Sequence, residues 1–330
     1  MVGVNKKISA ASARGHTRKR NQSNGLKLPF DNIISRVDGV CCICLSSKFN
    51  LHLQRFVDLR VVRPFVDLRM PLSQELAEDL GIYMVSFDRA GYGESDPNPR
   101  RTDKSTALYV EELADQLGLG SKFYVIGFSM GGQATWGCLK YIPHRLAGAA
   151  LLTPVVNSWW PGFPAKLNRE VFALKRMQYQ WTLLVSHYAP FLTYWWNTQK
   201  WFPSSSVVSR VNDVFSKQDL ELIPRLFSGD RTQIRQQGEY VSIFSDMNVA
   251  FGGYTFDPMD LENPFSNDEG TVHVWQGDED KIVQIPLQRY IAEKLPWVQY
   301  HELAGAGHLF PFADGMNNAI VKSLVLGEKK

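Results

Sequence analysis

Phe123-Tyr124-Val125-Ile126-Gly127-Phe128-Ser129-Met130-Gly131-Gly132 decides how this chain is read. An apolar, β-branched run of strand type enters Gly-x-Ser-x-Gly, and a small-residue segment of helical character follows. That is the sequence form of a nucleophile elbow, a sharp strand-to-helix turn that lifts one serine hydroxyl over the edge of a sheet. Gly127 and Gly131 flank a backbone position so strained that a neighbouring Cβ is expected to clash. The turn also sets the backbone N–H of Met130, at the start of the helix, beside the serine, where it can donate to a developing oxyanion. A plain glycine-rich turn is the competing reading, and the flanking strand and helix argue against it.

Working outward, strands and helices alternate. Ile82–Phe87 reads as a buried strand, 103–117 as a helix with Val110, Leu113, Ala114 and Leu117 on one face, and 123–128 as the elbow strand. A helix over 130–141 and a strand over 147–153 follow. The pattern resumes with a strand at 272–276, a helix over 286–295, a strand at 298–303 and a closing helix to about Leu324. This alternation marks βαβ units in a mostly parallel sheet flanked by helices, built from residues 81–154 and 266–330.

Residues 155–265 interrupt it as an inserted, mainly helical lobe, with six of the nine tryptophans between Trp159 and Trp201. Those aromatics either line a concave apolar pocket or fill the lobe's own core; a flat membrane-facing patch is a third reading. Residues 29–80 are a divergent segment with a short helix expected over 72–80 and no strand assigned. Within it Phe56-Val57-Asp58-Leu59-Arg60 recurs as Phe65-Val66-Asp67-Leu68-Arg69, and two copies are too few for a repeat architecture.

Charge and cysteine usage narrow the function classes. Residues 1–28 hold seven lysines and arginines and no acid, so the chain's net charge of +3 becomes −4 once they are set aside. A mildly acidic body argues against nucleic acid as a partner. The tail itself reads as disordered, with a solvated tail, a nuclear signal at Arg18-Lys19-Arg20 and an organelle (plastid) transit peptide all open. Cys41, Cys42, Cys44 and Cys138 lack the spacing of a disulfide framework or a zinc site, so no metal or cofactor is expected and a reduced, intracellular, cytoplasmic setting is the simpler one. No apolar run reaches the roughly 18 residues of a spanning helix.

A serine hydroxyl is a poor nucleophile at neutral pH unless a base takes its proton and an acid orients the base. His308 follows the strand at 298–303 in the glycine-flanked loop Gly305-Ala306-Gly307-His308, from which an imidazole reaches across the strand ends toward Ser129. Asp278, Glu279 and Asp280 all follow the strand at 272–276. Asp280 is the expected acid because it sits on the loop just before the apolar turn Ile282-Val283; Asp278 is second, and one or both of Asp278 and Glu279 are expected in solvent.

Residues 82–154 and 268–312 resemble an α/β-hydrolase of the plant soluble type, related to serine hydrolases described as esterases or lipases. The resemblance rests on Phe87-Asp88-Arg89-Ala90-Gly91-Tyr92-Gly93-Glu94-Ser95, Gly127-Phe128-Ser129-Met130-Gly131-Gly132, Gly277-Asp278-Glu279-Asp280 and Gly305-Ala306-Gly307-His308. It implies the α/β-hydrolase fold, Ser129 as nucleophile, Asp280 as acid and His308 as base. It further implies a small apolar ester-like substrate, with weak membrane association through the lobe aromatics as a further expectation. The loop Asp88–Ser95 is expected to shape the floor of the site and to do no chemistry. One feature departs from the family. Two or three strands normally precede the one at Ile82, and a His-Gly loop after the third supplies a second oxyanion donor. No His-Gly dipeptide occurs in this chain, so incomplete opening strands and an incomplete oxyanion hole are expected.

Overall fold

The computed structural model describes residues 36–37, 40–41, 54–59, 72–92, 95–202, 212–226, 241–265 and 269–327. The basic segment 1–28, the second copy of the repeat and Cys42 and Cys44 lie outside them. Six parallel strands form one sheet: β3 (Gln54–Leu59), β4 (Ile82–Ser86), β5 (Phe123–Phe128), β6 (Leu146–Leu152), β7 (Val272–Gly277) and β8 (Val298–Leu303), in the order β4-β3-β5-β6-β7-β8. A two-residue antiparallel pair, β1 (Arg36–Val37) and β2 (Val40–Cys41), precedes it.

The strand β3 corrects the reading of 29–80 as unassigned. The first four residues of the first copy, Phe56-Val57-Asp58-Leu59, lie in it, and its backbone pairs with β4 on one side and β5 on the other. Its presence creates the topological switch. The chain moves outward from β3 to β4 and then in the opposite direction from β5 to β8, which opens a crevice at the carboxyl ends of β3 and β5.

Each sheet face is closed by its own helices. Phe123 and Val125 of β5, Ala149 and Leu151 of β6, and Val272 and Val274 of β7 pack on α2 (Asp103–Gln116), α3 (Met130–Tyr141) and α9 (Ile285–Lys294). The alternate residues Ile126, Phe128, Ala150, Leu152 and Trp275 pack on α1 (Gln74–Asp79) and α10 (Met316–Leu326). Period-two alternation thus serves two buried faces, as a parallel sheet requires. Helix α2 begins at a reciprocal cap, with Ser105 N–H donating to Thr102 Oγ1 and Thr102 N–H to Ser105 Oγ, and the chain turns beyond it at Gly118, φ +64°. Leu117, expected on its buried face, is exposed, and Ala107 is buried in the first turns instead.

Between β6 and β7 the described chain is helical: α4 (Ala165–Ala173), α5 (Met177–Tyr188), α6 (Thr193–Thr198), α7 (Lys217–Leu226) and α8 (Val241–Phe251). Its tryptophans divide in a way the spacing did not separate. Trp160 is buried in the core, whereas Trp181, Trp195 and Trp201 are 51%, 45% and 78% exposed. Half of these six tryptophans are therefore neither pocket lining nor lobe interior.

Candidate active site

Ser129 stands at the end of β5 with φ 56° and ψ −115°, a conformation that costs a non-glycine residue roughly 1–3 kcal/mol and persists only where surrounding structure enforces it. The enforcement is visible. Ser129 N–H donates to Leu152 O at 2.8 Å, and its carbonyl accepts from Gln133 and Val155. A Cβ on Gly127 would lie 2.2 Å from Thr135 Oγ1 and 2.3 Å from Gly131 O, so the strand can meet the helix this closely only at glycine. The Ser129 side chain makes no cap on α3, which leaves the amides of the first turn, that of Met130 among them, facing whatever enters.

The structure brings Ser129, His308 and Asp280 together. His308 Nε2 lies 3.1 Å from Ser129 Oγ, and His308 Nδ1 lies 2.8 Å from Asp280 Oδ2. Asp280 Oδ1 accepts from the N–H groups of Ile282 and Val283 at 2.8 and 2.9 Å, and Oδ2 accepts from Gln276 Nε2 at 3.1 Å. The apolar turn after Asp280 is thus the device that aims the carboxylate. Asp278 and Glu279 are both exposed. Asp278 Oδ1 accepts from Gly305 N–H at 2.7 Å, and the backbone amides of Asp278 and Glu279 donate to Leu303 and Ala306. The loop carrying the acid is sewn to the loop carrying the histidine, and the Phe128 ring packs 5.0 Å from the His308 ring. All three side chains are nearly inaccessible: Ser129 is 1% exposed, Asp280 3% and His308 0%.

Among the described residues the other histidines are engaged elsewhere, His144 with Glu111. His187 stacks on Trp159 at 4.0 Å, and His273 pairs with His301 at 2.9 Å behind Trp275. Among the described residues no group of three histidine, cysteine or carboxylate side chains is arranged to hold a metal ion. Cys138 is buried, which pushes its thiol up, away from the reactive thiolate.

Two lobe aspartates matter here and were missed by the sequence reading. Asp219, fully buried at the start of α7, exchanges bonds with Ser216 (Asp219 N–H to Ser216 Oγ, Ser216 N–H to Asp219 Oδ2) and also accepts from the backbone N–H of His308 at 3.0 Å and of Leu309 at 2.6 Å. Ser216-Lys217-Gln218-Asp219 is a capping-box spacing, so the first bond was findable; the second depends on which loop lies opposite. Gly307 allows the approach, because a Cβ there would sit 2.0 Å from Ser216 Oγ. Asp246 on α8 accepts from Tyr92 OH at 2.7 Å and Arg89 Nη2 at 2.5 Å, and lies 2.7 Å from Arg101 Nη2. The loop Asp88–Ser95 is therefore the core's attachment to α8. Burial and the neighbouring Asp246 carboxylate push the Tyr92 phenol well up.

The alpha/beta hydrolase family model matches residues 63–320. Among solved structures the chain is similar to a thermophilic esterase from Thermogutta terrifontis (19% identity, 82% of this chain and 89% of that one, TM-score 0.53). It is similar also to the esterase RhEst1 from Rhodococcus sp. ECU1013 (15%, 86% and 91%, 0.54) and to a bromoperoxidase from Bacillus anthracis (15%, 82% and 91%, 0.51). At those identities the likeness concerns the fold. No curated protein sequence matches the chain. No helix among the described residues is long and apolar enough to cross a membrane. With most of its length matched, with a parallel sheet flanked by helices and a serine at the strand-to-helix elbow, the chain belongs to the alpha/beta hydrolase family.

Proposed function

We propose that this protein is a serine hydrolase of carboxylic esters or related acyl bonds, with Ser129 as nucleophile, His308 as base and Asp280 as the orienting acid. The observation that carries the reading is the continuous line from Ser129 Oγ through both nitrogens of His308 to a carboxylate whose other oxygen is fixed by two backbone amides. His308 Nε2 takes the hydroxyl proton as Oγ bonds to the acyl carbon. The oxyanion that forms accepts from Met130 N–H at the N-terminus of α3. Collapse breaks the bond to the leaving group, which leaves with the proton from His308, and water then releases the acyl group by the same steps in reverse order. The Asp280 carboxylate holds the ring and stabilises its cation.

The loop following β3, where a second oxyanion donor is expected, falls at 60–71, outside the described residues, and the chain has no His-Gly dipeptide. Loss of one donor lowers turnover by roughly 100- to 1000-fold, so we infer a slow enzyme. A fluorophosphonate probe is expected to label Ser129 in folded protein and not in Ser129→Ala, and p-nitrophenyl esters of graded acyl length then rank substrates. No labelling of folded protein overturns the reading. The burial of Ser129 favours one alternative, a hydrolase-like binding protein, which is expected to show ligand-induced thermal stabilisation that survives Ser129→Ala without turnover.

We also infer weak association of the lobe with a lipid surface. Ten of the fifteen exposed large apolar side chains among the described residues lie within 174–202, including Trp181, Tyr188, Phe191, Trp195 and Trp201. Residues 159–202 carry five basic side chains and one acid, which suits an anionic, aromatic-accepting interface. Co-sedimentation with phosphatidylserine vesicles, weakened by Trp201→Ala with Phe191→Ala, is the expected result.

A further inference from the structure

Beside the acid loop lies a cavity of about 290 Å³. This is near the small end of the range for ligand pockets. Its walls include Lys175, Arg176 and Tyr179 from the α4–α5 turn and the start of α5, Asp213 from the stretch before α7, and Asp280 and Lys281 from the acid loop. Their charges are not equally available. Arg176 is ion-paired with Asp213, Lys281 is exposed, and Asp280 is committed to His308 and its own turn. Lys175 has no such commitment. No described carboxylate lies within ion-pairing distance of its ammonium, which stands 5.9 Å from the centre of the Tyr179 ring. The lining thus carries one cation more than its anions, and Lys175 is half-buried in a partly open cavity.

Apolar wall continues from the cavity toward the nucleophile. Ile282, which lines it, belongs to the same buried cluster as Val155 and Val283, and Val214, Tyr179 and Met130 pack against that cluster. The cavity and the start of α3 therefore border one apolar cluster.

We propose that this cavity is an anion-binding subsite, with Lys175 as its cation, that takes a carboxylate carried by the substrate. The inference rests on the hydrolase reading and narrows its substrate class to short acyl esters with a free carboxylate, such as half-esters of dicarboxylic acids. Burial holds the Lys175 ammonium down at about 8, with attraction from Asp280 opposing the shift. Above that pH the subsite loses its charge, so affinity for the anion is highest in neutral solution and falls as pH rises through about 8.

Two measurements separate this proposal from the catalytic reading. In Ser129→Ala, glutarate is expected to raise Tm at pH 7 in a saturable way, with Kd weakened about tenfold or more by Lys175→Met and largely kept by Lys175→Arg, since a charge-assisted bond is at stake. In the intact protein, the ratio of kcat/KM for p-nitrophenyl hemiglutarate over p-nitrophenyl butyrate is expected to fall about tenfold in Lys175→Met, mostly through KM, and to recover in Lys175→Arg. Lys175-dependent glutarate binding without fluorophosphonate labelling removes the hydrolase reading and keeps the subsite. Labelling without glutarate binding, or equal losses on both esters in Lys175→Met, overturns the subsite.

Discussion

The sheet and the lobe reach the same three side chains by different means. On the sheet side the backbone does the positioning: a positive φ at Ser129, a glycine at 127 against Gly131 O, and amides of the acid turn closing on Asp280. On the lobe side the positioning runs through two buried carboxylates, Asp219 under the His308 loop and Asp246 under the Asp88–Ser95 loop. Backbone devices tolerate few residue types and are local in sequence. Side-chain clamps bridge 89 and 157 positions and can be removed one at a time, which makes the comparison testable.

The sheet side is expected to carry the largest effect on activity. Asp280→Asn keeps the shape of the carboxylate but not its charge, and allows the wrong His308 tautomer, so kcat is expected to drop about 10⁴-fold with little change in KM. A loss under tenfold, measured on the best p-nitrophenyl ester, breaks the claim that the backbone-held acid governs the ring.

The lobe is expected to register first in stability. Asp246→Ala leaves Arg89 and Arg101, with side chains 10% and 7% exposed, without their shared anion. Stranding buried charge of this kind costs about 3–5 kcal/mol. Urea midpoints report it, and an unchanged midpoint means the core holds its loop without α8. Asp219 tests coupling to the chemistry. Asp219→Asn retains the volume but replaces one acceptor oxygen with a donor facing either the His308 and Ser216 amides or the Leu309 amide. Loosening a loop that carries a base is expected to lower kcat roughly 10- to 100-fold. Slower fluorophosphonate labelling in a variant whose Tm falls only modestly distinguishes a displaced His308 from an unfolded lobe.

The same contrast explains what was legible. That Ser129, Asp280 and His308 meet could be read from spacing because each follows the carboxyl end of a strand, within a few residues of glycines or of the amides that fix it. The strand β3 escaped because its duplicated pentapeptide offered two equivalent registers, and only pairing with β4 and β5 chooses between them. Asp219 and Asp246 escaped for a physical reason as well. Their partners are loops of another layer, so no periodicity records them, and a charged residue on a helix reads as solvated until its neighbour is known. The tryptophans misled in the other direction: aromatic density suggested interior, and much of it faces out.

The smallest expected effect separates the sheet's structural histidine from the one at its edge. His273 is fully buried in β7, hydrogen-bonded with His301 and with Thr271, and stacked behind Trp275 through His301. Burial, reinforced by the neighbouring His301, holds its imidazole down at about 4, below the ordinary 6.5. The unfolded chain therefore takes up this proton first as pH falls. The contribution to stability is complete above about pH 6.5 and is lost toward pH 4, at no more than about 1.4 kcal/mol per pH unit. His273→Gln is expected to be less stable than the parent at pH 7.5 and to close part of that gap by pH 5. Carboxylates common to both chains cancel in the difference. A gap that stays constant across that range means His273 meets its proton as easily inside the sheet as outside it, and the pairing with His301 then holds a charge that the geometry of two stacked rings was expected to refuse.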